Sequence, residues 1–279
     1  VENCSIHNFG RIDRTYTPAV LLAGVGNRVA HNLFYDCPSS AVRIEGNDHV
    51  IEYNEVYKAV LESDDQGAME LYGNPTYRGV VFRHNLFHQI GAASMKGVHG
   101  SAGIRLDDAI SGLLVYGNVF WRAAKGNFGG VQINSGRDNI IDNNLFIDCK
   151  QGVSGGWNSG NRFWKDIDLG NPPAAFIASD LYRSRYPGLA HGLAALTKGP
   201  AVNNIWRNAF YRCGRTTTGN PAALDMLGNG VFADADPGFL DAAGGDLRLK
   251  PDAPLFATVG FRPIPLEEIG LYLDDWRAS

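Results

Sequence analysis

A four-residue string recurs through this chain at irregular but related intervals. HNLF at His31–Phe34 returns as HNLF at His84–Phe87, GNVF at Gly117–Phe120, NNLF at Asn143–Phe146 and RNAF at Arg207–Phe210, with a looser YNEV at Tyr53–Val56. Such a repeat means stacked supersecondary units, none able to bury its apolar face alone. Between copies, apolar and polar residues alternate over short runs closed by Gly, Asn, Asp or Ser, as in VRIEG, MELYG, IRLDD and VQINS. Period two with turn residues at its end is a strand signal. No long segment carries apolar residues at helical spacing. The expected fold is all-β: a single-stranded right-handed parallel β-helix, a solenoid with inserted loops and a C-terminal cap.

In such a solenoid, Asn32, Asn54, Asn85, Asn118, Asn144 and Asn208 fall at one bend of successive coils, roughly 4.8 Å apart. Their amides are expected to donate in one direction and accept in the other. Phe34, Phe87, Phe120, Phe146 and Phe210 would stack inside one wall, giving these residues a structural role. Cys37, Cys149 and Cys213 each stand five residues after a repeated Asn. They read as equivalent inward positions, hence free, buried and unreactive thiols.

The repeats cross any midpoint of the 279 residues, so a single β-helix domain is expected over 1–279. Regular coils are placed at 1–157, an inserted loop at 158–200, last coils at 201–235 and a capping segment at 236–279. A formal charge of −4 without basic runs argues against nucleic acid or an anionic membrane as partner. No apolar stretch is long enough to span a bilayer. The chain opens within a strand-like pattern, VENCSIHNFG, and an upstream part is expected to have been removed. A monomer, secreted or periplasmic, is expected.

The breaks in the repeat point to function. Asn8 to Asn32 spans 24 residues and Asn32 to Asn54 spans 22, which sets the bare coil; the next two intervals are 31 and 33. Loops added to a rigid scaffold concentrate binding and chemistry. Those two coils carry SDDQGAMELYG and GSAGIRLDDAISG. Strand alternation turns Val42, Ile44, Met69, Leu71, Ile104, Leu106, Val131 and Ile133 inward. One outward column then reads Arg43, Glu70, Arg105, Gln132, and the next Glu45, Tyr72, Asp107, Asn134. Asp64 and Asp65 enter the strand before Glu70, and Asp108 follows Asp107.

Paired carboxylates on an outer wall suit glycoside hydrolysis, with one as proton donor and the other as nucleophile or base. Neighbouring acids raise each other's pKa values, which keeps one protonated near neutrality. The plainer alternative is an exposed ion-pair ladder of little energetic consequence, with DD as turn chemistry. No cofactor is expected, although Asp64, Asp65 and carbonyls form a further alternative as oxygen ligands for Ca²⁺.

At DDQGA (64–68), PTYRGVVFRHNLFHQIG (75–91), IRLDD with its following SG (104–112) and GGVQINSGRDNIIDNNLFIDC (129–149), the chain resembles glycoside hydrolase family 141. LYRSRYPGLA, DPGF, GDLRLKPDAPLF and IGLYLDDWRA resemble that group's closing segments. The resemblance implies an enzyme acting on plant-type polysaccharides, of fucosidase or xylanase type. The family's two active-site aspartates would correspond to Asp65 and to Asp107 or Asp108. Members are generally longer, with upstream coils.

Asp65 and Asp107 are read as the acid and nucleophile or base, roles unassigned, with Asp108 as substitute and Glu70 as next candidate or sugar-orienting partner of Arg105. Tyr72, Gln132 and Asn134 suit hydroxyl recognition, and Asp64 and Glu45 are expected to contact the substrate beside them. His99 lines the cleft or is an exposed loop histidine. Among Trp157, Phe163, Trp164, Phe176, Tyr182 and Tyr186 of the long insertion, most are expected to pin the loop to the body, with Trp157 alone reaching the ligand. Two rival functions stand beside the hydrolase. One is a polysaccharide lyase with Arg105 or Lys96 as base, with or without Ca²⁺; the other is a non-catalytic glycan-binding or adhesin-like stalk.

Overall fold

The structure is a computed structural model, and its described residues are 1–92, 99–158, 160–166, 177–189 and 201–277. Three walls of short parallel strands wind around one core. The first runs from Ser5–His7 through Leu33–Tyr35, Glu55–Tyr57, Leu86–His88, Val119–Trp121, Leu145–Ile147 and Ala209–Tyr211 to Gly230–Phe232. The second contains Val20–Leu22, Val42–Ile44, Gln66–Tyr72, Gly100–Asp107, Val131–Asn134, Val153–Gly156 and Thr217–Thr218. The third extends from Arg28–Ala30 to Leu224–Leu227. Each chain turn visits the three walls in order, so the fold is a parallel β-helix.

The recurring string is a corner. Its first residue sits in the left-handed region at His31, Tyr53, His84, Asn143 and Arg207, with φ between 48° and 59°. All five carry a Cβ and cost energy there, of order 1 kcal/mol each. The Asn that follows provides the compensation. Each Nδ2 donates to Oδ1 of the next Asn, at 2.9 Å from Asn32 to Asn54, Asn54 to Asn85 and Asn85 to Asn118, and at 3.0 Å from Asn118 to Asn144 and Asn144 to Asn208. The same amides also donate to the carbonyl two residues back inside the turn and to a carbonyl of the preceding coil. The ladder continues to Asn229, 3.1 Å from Asn208, in a GNGVF copy that the sequence pattern had not singled out.

At the other end the register differs from expectation. Ser5 pairs with Leu33, and the Cys4 amide donates to Asn32 Oδ1 at 3.0 Å, so Cys4 rather than Asn8 holds the corner position. The first coil is therefore 28 residues long, Cys4 to Asn32, and carries an extension where a bare coil was expected.

Inside the first wall, Phe87, Phe120, Phe146 and Phe210 stack at centroid separations of 5.1, 4.9 and 5.0 Å. Phe34 is buried but outside this stack, because Val56 stands between it and Phe87. The second wall makes room for the rings with glycine: a Cβ on Gly103, Gly130 or Gly152 would meet Phe120, Phe146 or Phe210 at 2.7, 3.0 and 2.2 Å. All four cysteines are free, with Cys37 and Cys149 buried but Cys4 and Cys213 only half-buried, contrary to the uniform burial expected. The neighbouring Cys213 thiol and burial push the Cys149 thiol well up.

The segment after Asp236 lies along the outside of the stack, which corrects the reading of it as a plug on the last coil. Phe239, Leu247, Leu255, Val259 and Phe261 cover Val119, Leu145, Ile147, Tyr211 and Phe232 on the outer face of the first wall. Arg262 and Asn143 exchange hydrogen bonds of 2.7 and 3.0 Å, the Gly270 amide donates to the Tyr53 carbonyl at 2.8 Å, and Tyr272 and Asn3 bond each other at 3.0 and 3.1 Å. Met226, Leu227 and Val231 in the last coil stay exposed.

Candidate functional site

Strand register gathers the outward column. Arg43 pairs with Glu70, Glu70 with Arg105 and Arg105 with Gln132, while Tyr72 pairs with Asp107. Their neighbours Val42, Ile44, Met69, Leu71, Ile104, Leu106, Val131 and Ile133 all face the core. The polar column is also largely covered: Glu70 is 3% exposed, Asp107 4% and Arg105 6%. That burial removes the reading of an exposed ion-pair ladder. The cover comes from the extensions of the coils, where Ala124–Gly126 folds back antiparallel to Gly100–Ala102.

A cavity of about 640 Å³ opens on this wall. Asp65, Glu70, Tyr72, His99, Arg105, Asp107, Asp108, Gln132 and Asn134 line it, all of them named from strand alternation or loop position. His99 is exposed at its mouth. Tyr16, Arg43, Leu71, Phe128 and Arg162 complete the lining. Tyr16 comes from the first-coil extension hidden by the miscounted register, and Arg162 from the long insertion, whose repeat signal is absent. Arg43 was legible as an outward strand residue, although its role was not.

Arg105 organises the centre. Its Nη2 lies 2.8 Å from Asp65 Oδ1 and 2.8 Å from Asp107 Oδ2, its Nη1 donates to the Asp65 carbonyl, and its guanidinium lies 5.4 Å from the Phe128 ring. Asn134 Nδ2 donates to Asp107 Oδ1 at 3.0 Å and to Asp108 Oδ1 at 2.9 Å. Asp108 also accepts from Asn161 at 2.8 Å and faces Arg162 at 3.8 Å. Asp65 and Asp108 both have positive φ, 62° and 41°, which places their carboxyl groups at the two ends of the strand segment that carries the column.

Burial pushes the Asp107 carboxyl up, opposed by Arg105 and by the Asn134 hydrogen bond; Asp108 and Asp65 add only smaller upward effects. Burial also pushes Glu70 up, against the Gly67 amide, which donates to Glu70 Oε2 at 3.2 Å, and against Arg105. Glu70 Oε1 and Arg105 Nε are buried without a hydrogen-bond partner among the described residues. The expected effect of acids on one another is therefore present but subordinate to desolvation.

Three expected ligand contacts lie elsewhere. Asp64 turns back on its own scaffold, accepting from the His99 and Gly100 amides at 3.0 and 2.7 Å. Glu45 is exposed and outside the cavity lining. Trp157 packs edge-on against Trp164 at 4.9 Å, under Arg137. The insertion's aromatics fasten it to the body: Trp164 Nε1 donates to the Ser135 carbonyl at 2.8 Å, Tyr182 OH to the Thr76 carbonyl at 2.7 Å, and Phe163 packs edge-on against Tyr72 at 5.3 Å. Lys96 and Phe176 lie outside the described residues.

Among the described residues no group of three or more His, Cys, Asp and Glu side chains is gathered as metal ligands would be. The Ca²⁺ alternative also loses Asp64, both of whose oxygens accept backbone amides. No described helix is long and apolar enough to cross a membrane. A family model described as a right-handed β-helix region matches residues 18–166. Neither the curated proteins nor the solved structures contain a match to the chain.

Proposed function

The chain belongs to the right-handed β-helix family, and on that premise we propose that it is a glycoside hydrolase whose chemistry is carried by the carboxyl groups of the second wall. The observation that supports this most is the convergence of Asp65 and Asp107, from neighbouring coils, on one guanidinium inside a polar cavity with aromatic edges. Their nearest oxygens each lie 2.8 Å from Arg105 Nη2, so they stand no more than about 5.6 Å apart. That closeness favours a double displacement, in which the two carboxyl groups stand roughly 5–5.5 Å apart, over inversion, which needs wider spacing for a water.

In this mechanism Asp107, whose carboxyl is held up by burial, protonates the departing glycosidic oxygen. Asp65, partly exposed and paired with Arg105, attacks the anomeric carbon as that bond breaks. Water, deprotonated by Asp107, then displaces Asp65 and releases the sugar. Asp108 positions Asn134 and the insertion through its hydrogen bonds. Glu70 is a second proton-donor candidate, because its Oε1 has no partner and burial favours its neutral form.

The substrate class follows the sequence resemblance: a plant-type polysaccharide or oligosaccharide containing xylose or fucose, met outside the cytoplasm. A lyase using Arg105 as base is disfavoured, since a guanidinium does not give up its proton in a protein and the Asp65 carboxylate pairs with this one in its charged form. Assay of aryl xylosides, aryl fucosides and xylan with Asp65→Asn, Asp107→Asn and Glu70→Gln tests the reading. We expect each aspartate change to lower kcat by about 10²-fold or more in a folded protein. An unsaturated, ultraviolet-absorbing product, or full activity in both Asp variants, would overturn it.

A further inference from the structure

We propose that this cavity recognises an anionic group on its glycan, a carboxylate or a sulfate, through Arg43. The inference rests on the cavity being a glycan site, but not on hydrolysis taking place there.

Arg43 differs from the other cations of the cavity. Arg105 is occupied by two aspartates and a carbonyl. Arg162 is mostly exposed and faces Asp108 at 3.8 Å. Among the described residues Arg43 has neither a carboxylate within ion-pairing distance nor a hydrogen-bond partner for its side chain. It is half-buried on the cavity wall. Its guanidinium carbon lies 5.6 Å from the Tyr16 ring centroid and 5.7 Å from that of Tyr72.

The acid placed to neutralise it does not do so. Glu70 is the register partner of Arg43 on the next strand, yet its Oε2 accepts the Gly67 amide and its side chain is buried. Two tyrosine rings restrain a planar cation without consuming its N–H groups, which leaves a fork suited to two parallel hydrogen bonds with a carboxylate or sulfate. A hydroxyl of a neutral sugar would use one such donor and leave the charge uncompensated. The tyrosines come from different coils, and Tyr16 belongs to the first-coil extension; that extension thus acquires a purpose in fixing Arg43.

Binding, rather than turnover, tests this. Matched pairs of immobilised oligosaccharides would be compared: glucuronate-substituted xylan fragments against the same fragments after carboxyl reduction, and sulfated galactan fragments against desulfated ones. We expect the anionic member of at least one pair to bind about tenfold or more tightly, with the preference shrinking as salt rises. Preference in the first pair identifies a carboxylate, in the second a sulfate. Arg43→Gln should bring the two members within about twofold, and Arg43→Lys should retain part of the difference, which a merely structural role would not. Thermal unfolding of both variants would verify folding. Absence of preference in every pair, absence of binding to all anionic members, or preference surviving in folded Arg43→Gln overturns the proposal. Retained preference without any glycan cleavage would remove the hydrolase reading alone.

Discussion

Glu70 shows how burial turns a side chain into a pH-dependent load on the fold. Its carboxyl titrates above the usual 4.5 because desolvation outweighs the Gly67 amide and Arg105. The folded protein then holds the proton more tightly than the unfolded chain. Its stabilising contribution is complete below about 4.5 and is lost as pH rises through the folded value. Gln at this position cannot ionise. The unfolding temperature of Glu70→Gln should therefore gain on that of the unaltered protein as pH climbs from about 4 to about 8; a constant difference across that range would show that Glu70 titrates in the fold as it does in the unfolded chain. Asp107 was legible because strand alternation fixes which residues face outward, whereas Asp65, just before its strand, was singled out by the resemblance of DDQGA. Tyr16 was not, since Cys4 occupies the place of the first corner Asn and conceals the length of that coil. Asp64 illustrates a different limit: its sequence neighbours Asp65, yet its oxygens accept amides of the next strand.

At the level of the element, corner and wall impose different demands. The corner repeat was readable because each Asn amide bonds both the corner backbone and the Asn of the next coil, which requires the same side chain on every coil. The glycines of the second wall carried no such signature, as their reason lies across the core in the Phe120, Phe146 and Phe210 stack. Adding a methyl should therefore cost stability in proportion to the clash. Gly152→Ala, at 2.2 Å from Phe210, should be the most damaging, followed by Gly103→Ala at 2.7 Å and Gly130→Ala at 3.0 Å. Overpacking of this kind costs about 1–3 kcal/mol. Denaturant midpoints for the three variants give the order; equal losses would mean that the rings simply move aside. The insertion was read correctly as aromatic-rich, but only tertiary contacts separate Phe163 beside the cavity from Trp157 under Arg137.

On the scale of the whole molecule, the segment after Asp236 matters most. An open solenoid is stabilised by nearest-neighbour contacts, so its terminal coils are the easiest to lose. Here Phe261, 4% exposed, belongs to an apolar seam laid over several coils at once. Phe261→Ala should cost about 3–5 kcal/mol. It should also accelerate hydrogen exchange together at the Gly270 and Tyr272 amides, which bond Tyr53 and Asn3 near the opposite end. Acceleration confined to the residues touching Phe261 would instead mark a set of independent contacts. Nothing in the repeat announced this path, because a seam is specified by the outer faces of strands that the repeat leaves free to vary.

The bonds between Asn3 and Tyr272 close that path. A stack of coils joined only to its neighbours behaves like a zip, in which the first tooth is the cheapest to open. Because the seam reaches the coil of Asn3, opening that coil also means peeling a clasp anchored along the row. Unravelling then has to begin with a collective step, which gives a protein of one-dimensional contacts the barrier of a ring.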